Sequence, residues 1–180
     1  MKKILITFVL CCVCYVGFAQ GKLVSYEEVQ LMLHNNINRN DSLLLGKGYT
    51  QKAKNDKKKT REYTLATNRG TFINVALRAD GRRMFIELET NDKQQYDVLM
   101  SSITQYPYKK ENAGDMEIYT LKDLATLYVT SNDNSPDPMK KYHLIQIAPD
   151  KNVTAYDWSG LLVISQWSLS FLRSLAFDSV

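Results

Sequence analysis

A run of basic residues is the most strongly charged feature of the sequence. It is interrupted by one acid, Asp56, and comprises Lys52, Lys54, Lys57, Lys58, Lys59 and Arg61. Such a run can contact anionic lipid headgroups, lipopolysaccharide or an acidic polymer through screened Coulomb attraction. The same composition is also typical of a solvated hairpin tip. No aromatic residues are interleaved with these cations as in many nucleic-acid surfaces. Together with the export predicted below, this pattern leads us to expect no nucleic-acid partner and, at most, weak contact with a membrane surface.

Two glutamates, Glu87 and Glu89, are spaced so that a strand would place both on one face. A glycosidase needs two carboxylates about 5–10 Å apart, and side chains two apart on a strand lie about 7 Å apart. The outward face of a sheet normally carries such charges, however, and Arg78 from a neighbouring strand can pair with them. We expect a surface role for these carboxylates rather than catalysis.

The two histidines, His34 and His143, do not have the spacing of a metal site. His143 alternates with Ile145 and Ile147, which predicts a position facing the sheet interior or its margin. The sequence contains no Gly-x-Ser-x-Gly motif for a serine nucleophile. We therefore predict no catalytic residue, no cofactor and no metal site.

A polar loop between two predicted strands resembles a calcium loop only faintly. It runs over residues 131–138, and Pro138 stands where a calcium loop needs glycine. Leu144 stands where the bidentate glutamate would be. The pattern favours an ordinary loop rich in turns.

The N-terminus has the three parts of a secretory signal peptide. Lys2 and Lys3 precede an apolar run over residues 4–16, and small residues at Gly17 and Ala19 suit a cleavage site. We predict cleavage between Ala19 and Gln20, and an exported product that is periplasmic, secreted or associated with the outer envelope. The alternatives are an uncleaved membrane anchor, for which the run is short, and a lipoprotein, whose cysteine motif fits poorly.

Loss of residues 1–19 would change both the charge and the redox chemistry. All three cysteines, Cys11, Cys12 and Cys14, lie in that segment, so the mature chain would hold no disulfide and no thiolate site. Two lysines and no acids leave with it, which lowers the formal net charge of +4 by two. An exported chain without cysteine looks bacterial.

The first half of the remaining sequence predicts a helix followed by strands. Ser25 and Glu28 form a capping box, and Gly46 suits a left-handed helix cap. The four strands are predicted at residues 49–54, 61–67, 71–79 and 82–89. Asp80 and Gly81 suit a two-residue hairpin turn with positive φ at both positions.

The second half repeats this order. Asn91 begins a predicted helix with an apolar stripe at helical spacing, and strands are predicted at residues 106–110, 116–121, 124–130 and 141–148. The whole pattern predicts an α+β fold with one antiparallel sheet of about eight strands and two helices on one face. Residues 25–90 and 91–149 are candidate halves of a duplicated helix–four-strand unit, because short echoes recur in register: residues 62–65 and 118–121 share Tyr-Thr-Leu.

The chain is thus divided into a signal peptide at residues 1–19, one domain at 20–155 and an apolar segment at 156–180. We expect this last segment to pack on the domain; polar interruptions argue against a membrane span. Apolar residues make up 44% and charged residues 23% of the chain, which excludes a disordered polymer and a multi-span membrane protein.

These observations predict an exported, non-catalytic binding or inhibitor-like module. Its partner would be a protein or a glycan held on the sheet face without helices. Two alternatives stay open. One is a small periplasmic hydrolase that uses carboxylates or His143, and the other is an envelope-associated structural protein docked through residues 156–180.

Overall fold

The computed structural model describes residues 21–67, 70–132 and 142–155. Three helices occur within these ranges: α1 (Tyr26–His34), α2 (Ile37–Gly46) and α3 (Lys93–Ile103). Eight strands accompany them: β1 (Thr50–Asn55), β2 (Thr60–Ala66), β3 (Phe72–Asp80), β4 (Arg83–Thr90), β5 (Tyr108–Ala113), β6 (Met116–Leu121), β7 (Ala125–Asn132) and β8 (Tyr142–Pro149). The predictions for residues 1–20 and 156–180, and those for the loop at 133–141, lie outside the described residues.

All eight strands form one antiparallel sheet in the order β1-β2-β3-β4-β8-β7-β6-β5. The last strand of each half therefore lies at the centre, where β4 pairs with β8, and the first strand of each half lies at an edge. This arrangement confirms the predicted α+β fold with an antiparallel sheet of about eight strands. The duplication of a helix–four-strand unit stays a prediction.

The hydrophobic core lies on one face of the sheet, beneath the helices. Alternate residues of β3, such as Ile73, Val75 and Leu77, are buried on this face. They pack in one continuous cluster with α1 residues such as Met32 and with Leu99 of α3. Alternation with period two along the strands produces this separation, because successive side chains point to opposite faces.

The start of α1 follows the predicted capping box. The Ser25 hydroxyl accepts a hydrogen bond from the amide of Glu28 at 3.5 Å, and the Glu28 carboxylate accepts from the amide of Ser25 at 3.0 Å. The prediction at this helix start is confirmed.

The number of helices differs from the expected two, because the first helical pattern breaks at Asn35 and Asn36. Asn36 caps α2, and its side-chain oxygen accepts from the amide of Arg39 at 3.0 Å. An asparagine side chain can bond to nearby amides outside the helical conformation, which favours a cap over helix continuation. The buried Asn40 then donates to the carbonyl of Met32 at 2.9 Å and ties α2 to α1.

Two predicted turn positions are wrong by one or two residues. The left-handed glycine after α2 is Gly48, with φ of +89°, rather than Gly46. In the β3–β4 hairpin Asp80 still pairs with Arg83, so the turn residues are Gly81 and Arg82. Gly81 has φ of +60°, which matches a turn with glycine at the first central position.

Candidate functional site

The face of the sheet opposite the three described helices is called the open face below, and it carries a candidate site. Strand register aligns side chains from five adjacent strands in one row across this face. The row is Glu62, Ala76, Glu87, Gln146 and Tyr128. Because every second residue of each strand belongs to this face, the row has similar rows on either side of it.

A depression of about 390 Å³ lies on the open face, across β2, β3, β4, β8 and β7. The polar and aromatic residues of its lining are Thr60, Arg61, Glu62, Arg78, Phe85, Glu87, Tyr128 and Gln146. The depression thus combines apolar rings with a few hydrogen-bonding groups, a mixture typical of binding sites.

Phe85 is the aromatic centre of one side of this depression. The guanidinium of Arg78, its cross-strand partner, lies 4.9 Å from the ring centroid, and that of Arg83 lies 5.0 Å away. Both distances are within the range of a cation–π interaction. These contacts hold the ring and the two cations together on the open face.

Glu87 and Glu89 lie on the open face, as the sequence predicts. Each accepts a hydrogen bond from a side-chain amide of a neighbouring strand. Gln146 donates to the Glu87 carboxylate at 2.9 Å, and Asn74 donates to the Glu89 carboxylate at 3.0 Å. The Thr64 hydroxyl donates in turn to Asn74 at 2.8 Å. These cross-strand hydrogen bonds orient the carboxylates along the sheet and give them a structural role.

His143 lies on the helix-covered face, at the margin of the core. Its ring stacks on Tyr96 of α3 with 3.9 Å between centroids, and its Nδ1 is 2.7 Å from the hydroxyl of Ser131. In a serine hydrolase Nε2 of the histidine faces the serine while Nδ1 faces the acid. The contact of Ser131 with Nδ1 of His143 therefore does not match a catalytic serine–histidine pair. His34 lies within α1, where its Nδ1 is 2.8 Å from the carbonyl of Gln30. The structure therefore brings neither histidine to the two glutamates of the open face.

The basic run occupies the β1–β2 hairpin, where its five lysines are exposed. Lys52 lies at a bulge in the edge strand β1 and Lys54 lies further along it. Lysines and bulges on an edge strand hinder pairing with another chain. Edge protection is therefore a second role for these residues, and their contact with an anionic surface stays a prediction.

The prediction that Arg61 contacts an anionic surface is wrong, because its side chain is only 3% exposed. Its Nη2 donates to Asp56 at 2.6 Å, and its Nε donates to Asp41 of α2 at 3.4 Å. The hydroxyl of Tyr63 donates to the same Asp41. Arg61 alternates with the buried residues of β2, so it faces the helices and ties α2 to the sheet rather than meeting a surface.

A separate polar group lies at the β5–β6 hairpin. Glu117 accepts from Lys110 and from the Tyr119 hydroxyl, each at 2.7 Å. These two hydrogen bonds hold the pKa of Glu117 below its ordinary value. Burial, followed by the bond to Glu117, raises the pKa of Tyr119. The group joins two strands near the sheet edge and is not part of the depression.

Sequence reasoning missed the arginines of the β3–β4 hairpin and the aromatic residues of the open face. Arg82, Arg83, Phe85 and Tyr128 were not singled out, although three arginines surround the Asp80–Gly81 turn signal. A hairpin turn brings such residues together at one end, so the arginines around this turn were a usable signal. Tyr128 gave none, because its neighbour Gln146 comes from a strand 18 positions away and the pairing follows only from the sheet order.

Within the described ranges, no three histidine, aspartate or glutamate side chains gather as a metal site requires. None of the three helices described is long and apolar enough to cross a bilayer. No family model, curated protein or solved structure matches this chain.

Proposed function

We propose that this chain is an exported, non-catalytic binding module, inhibitor-like in action, that holds a protein partner on its open face. The observation that carries the proposal is the size and composition of this face. Its centre combines Phe85, Tyr128 and Arg78 with the hydrogen-bonding groups of Glu62 and Gln146. Aromatic and arginine side chains are enriched in protein interfaces.

The area of the face favours a protein over a small ligand. Strands about 4.8 Å apart make an eight-stranded sheet about 34 Å wide, and strands of 6–9 residues are about 20–30 Å long. The face therefore offers about 700–1,000 Å², close to the roughly 800 Å² that each partner contributes to a standard protein interface.

The alternative of a hydrolase has less support. Glu87 and Glu89 are each bonded to an amide of a neighbouring strand, and His143 lies on the opposite face of the sheet. A general acid and base must converge on one bound substrate, and these groups do not converge. The other alternative, docking through residues 156–180, concerns a segment outside the described residues.

A comparison of two double variants tests the proposal. The exported chain is immobilised and exposed to periplasmic and secreted proteins of the producing cells, and captured proteins are quantified by mass spectrometry. Phe85→Ala/Tyr128→Ala removes the aromatic centre of the open face. Leu31→Ala/Leu45→Ala removes two exposed apolar side chains from the helices and serves as the matched control.

We expect a discrete partner to be lost with the first variant and retained with the second. Binding of a purified partner then has to show the same dependence by calorimetry. A glycan array tests the other ligand class with the same two variants. Equal capture by the wild type and the open-face variant would refute the proposal.

A further inference from the structure

A second cavity lies at the end of the sheet where two hairpin turns meet the start of α2; it is called the turn cavity below. Its volume is about 310 Å³. The two turns are joined directly, since the amide of Ala79 donates to the carbonyl of Lys59 at 3.0 Å. The amide of Ala155 donates to the carbonyl of Arg82 at 2.6 Å and adds a further wall.

Four cationic residues take part in the lining of the turn cavity, beside apolar residues such as Ile37 and Met84. The cationic residues are Lys59, Arg61, Arg82 and Arg83, and the carboxylate among the lining residues is Asp56. Asp56 accepts a hydrogen bond from Arg61 at 2.6 Å and lies 3.7 Å from the Nζ of Lys54. Its charge is therefore already compensated.

The other three cations have no such compensation. In the part of the chain that the structure describes, no carboxylate lies within 4 Å of the charged atoms of Lys59, Arg82 or Arg83. Three like charges around one cavity repel each other, and an anion placed among them removes that repulsion. The first residues of α2, Asn36 to Asn38, line the opposite wall, and the start of a helix carries partial positive charge of the same sign.

The chemistry of these groups favours a phosphate group over a carboxylate. Two arginines and a lysine supply three positive charges, which match a phosphate group with a charge of about −1.5 to −2 and three acceptor oxygens better than a carboxylate with one charge and two oxygens. The cavity volume lies at the lower end of the range for small-ligand sites, which is enough for a phosphoryl group and a small organic substituent.

We propose that the turn cavity binds a phosphate group, carried by a soluble phosphate ester or by a phospholipid headgroup. The site is formed by Lys59, Arg82 and Arg83. The sequence predicts an anionic contact at the exposed tip of the β1–β2 hairpin, and the present proposal moves this contact into a defined cavity. Among its ligands Arg82 and Arg83 of the β3–β4 hairpin take the place of Arg61. The turn cavity differs from the depression on the open face, but the two are neighbours: Arg61 borders both, and Arg83 also contacts Phe85.

Calorimetric titration of the purified full-length mature chain with pyrophosphate tests the proposal. Lys59→Gln/Arg82→Gln removes two charges while keeping polar side chains, and both residues are exposed, so the variant keeps the fold. Lys109→Gln/Lys122→Gln removes the same charge from exposed positions near β5 and is the matched control. A co-sedimentation arm uses vesicles of phosphatidylcholine with or without phosphatidylglycerol, and thermal melts verify that each variant is folded.

We expect binding of one pyrophosphate, weakened at least about tenfold in Lys59→Gln/Arg82→Gln and less than about twofold in the control, because specific charge-assisted bonds are lost only in the former. Pelleting with phosphatidylglycerol vesicles that depends on the same pair assigns the phosphate to a lipid headgroup. Pyrophosphate binding without pelleting assigns it to a soluble ester.

The proposal is overturned if the wild type binds neither pyrophosphate nor the vesicles. It is also overturned if Lys59→Gln/Arg82→Gln and the control Lys109→Gln/Lys122→Gln weaken binding equally. The open-face variant Tyr128→Ala should keep its pyrophosphate affinity, since Tyr128 does not line the turn cavity, whereas Phe85 contacts the ligand Arg83. Failure of the partner site and failure of the turn cavity are therefore distinguishable.

Discussion

The side-chain amide of Gln95 is joined to the backbone of Val24 by two hydrogen bonds that span 71 positions of the sequence. Val24 donates its N–H to Gln95 Oε1 at 2.8 Å, and Gln95 Nε2 donates to the carbonyl of Val24 at 2.7 Å. Both residues are buried. Two turns further along α3, Ser102 accepts from the amide of Tyr26 at 2.8 Å. α3 thus fixes the chain just before α1, across the two halves of the fold.

The Gln95 contact predicts a large loss of stability in Gln95→Ala. The substitution leaves a buried N–H and a buried carbonyl without their partner, and each unsatisfied group costs about 1–3 kcal/mol. We expect the free energy of unfolding to fall by about 2–4 kcal/mol. Urea denaturation measures the loss, and Gln94→Ala, on the exposed side of the same helix, should change it by less than about 0.5 kcal/mol. Equal values for the two variants would contradict the proposed anchor.

The Asp41 contacts predict that a buried ion pair and an exposed one respond differently to the same change. Asp41→Asn weakens the bonds from the buried Arg61 and from Tyr63, and we expect it to cost about 1–3 kcal/mol. Asp97→Asn breaks an exposed pair with Lys93 on α3 and should cost less than about 0.5 kcal/mol. Chemical denaturation of both variants decides this, and a smaller loss in Asp41→Asn than in Asp97→Asn would count against the role of Arg61 in joining α2 to the sheet.

The sequence predicted the elements of the fold well because their signals are local. Alternation along β3 and the capping box of Ser25 and Glu28 depend on residues next to each other in the chain. The sheet order, in contrast, depends on the pairing of β4 with β8, whose residues Glu87 and Gln146 are 59 positions apart. No local pattern specifies that pairing, so the lining of the depression could not be predicted.

The wrong prediction of an exposed Arg61 also comes from contacts between residues that are distant in the sequence. A run of basic residues predicts exposure on average, but Arg61 falls on the buried side of β2, in alternation with Tyr63 and Leu65. Its burial is compensated by Asp41 of α2 and Asp56 of the hairpin turn, and the sequence does not show that these acids converge on it. The break at Asn36 was missed for a different reason, since asparagine is tolerated both inside a helix and at its N-cap.

Two glycines predict stability changes of opposite sign for the same added methyl group. A Cβ at either Gly81 or Gly46 would meet no atom within 4 Å, so conformation alone decides the outcome. Gly81 has φ of +60° in the hairpin turn, and Gly81→Ala should cost about 1–2 kcal/mol. Gly46 is the last residue of α2, and Gly46→Ala should stabilise by up to about 1 kcal/mol. Thermal melts of both variants measure the signs, and a stabilising Gly81→Ala would contradict the assigned turn.

Buried tyrosines predict a loss of stability at high pH. Burial raises the pKa of Tyr26 to about 12, and it also raises the pKa values of Tyr49 and Tyr63. A tyrosine is uncharged when protonated, so a folded-state pKa above the unfolded value of about 10 stabilises the fold fully below pH 10. This contribution is lost as the pH rises from about 10 towards the folded-state value, by at most about 1.4 kcal/mol per pH unit for each tyrosine.

Tyr26→Phe isolates the contribution of one ring, because phenylalanine keeps the apolar volume and does not titrate. The free energy of unfolding, measured in urea at pH 8, 10 and 11, should fall less steeply above pH 10 in this variant than in the wild type. The packing cost of losing the hydroxyl is the same at each pH, so it cancels in the difference between slopes. Identical slopes in the two proteins would mean that Tyr26 is not buried as a neutral phenol, and the core contact of α1 with Tyr106, at 5.2 Å between ring centroids, would then need revision.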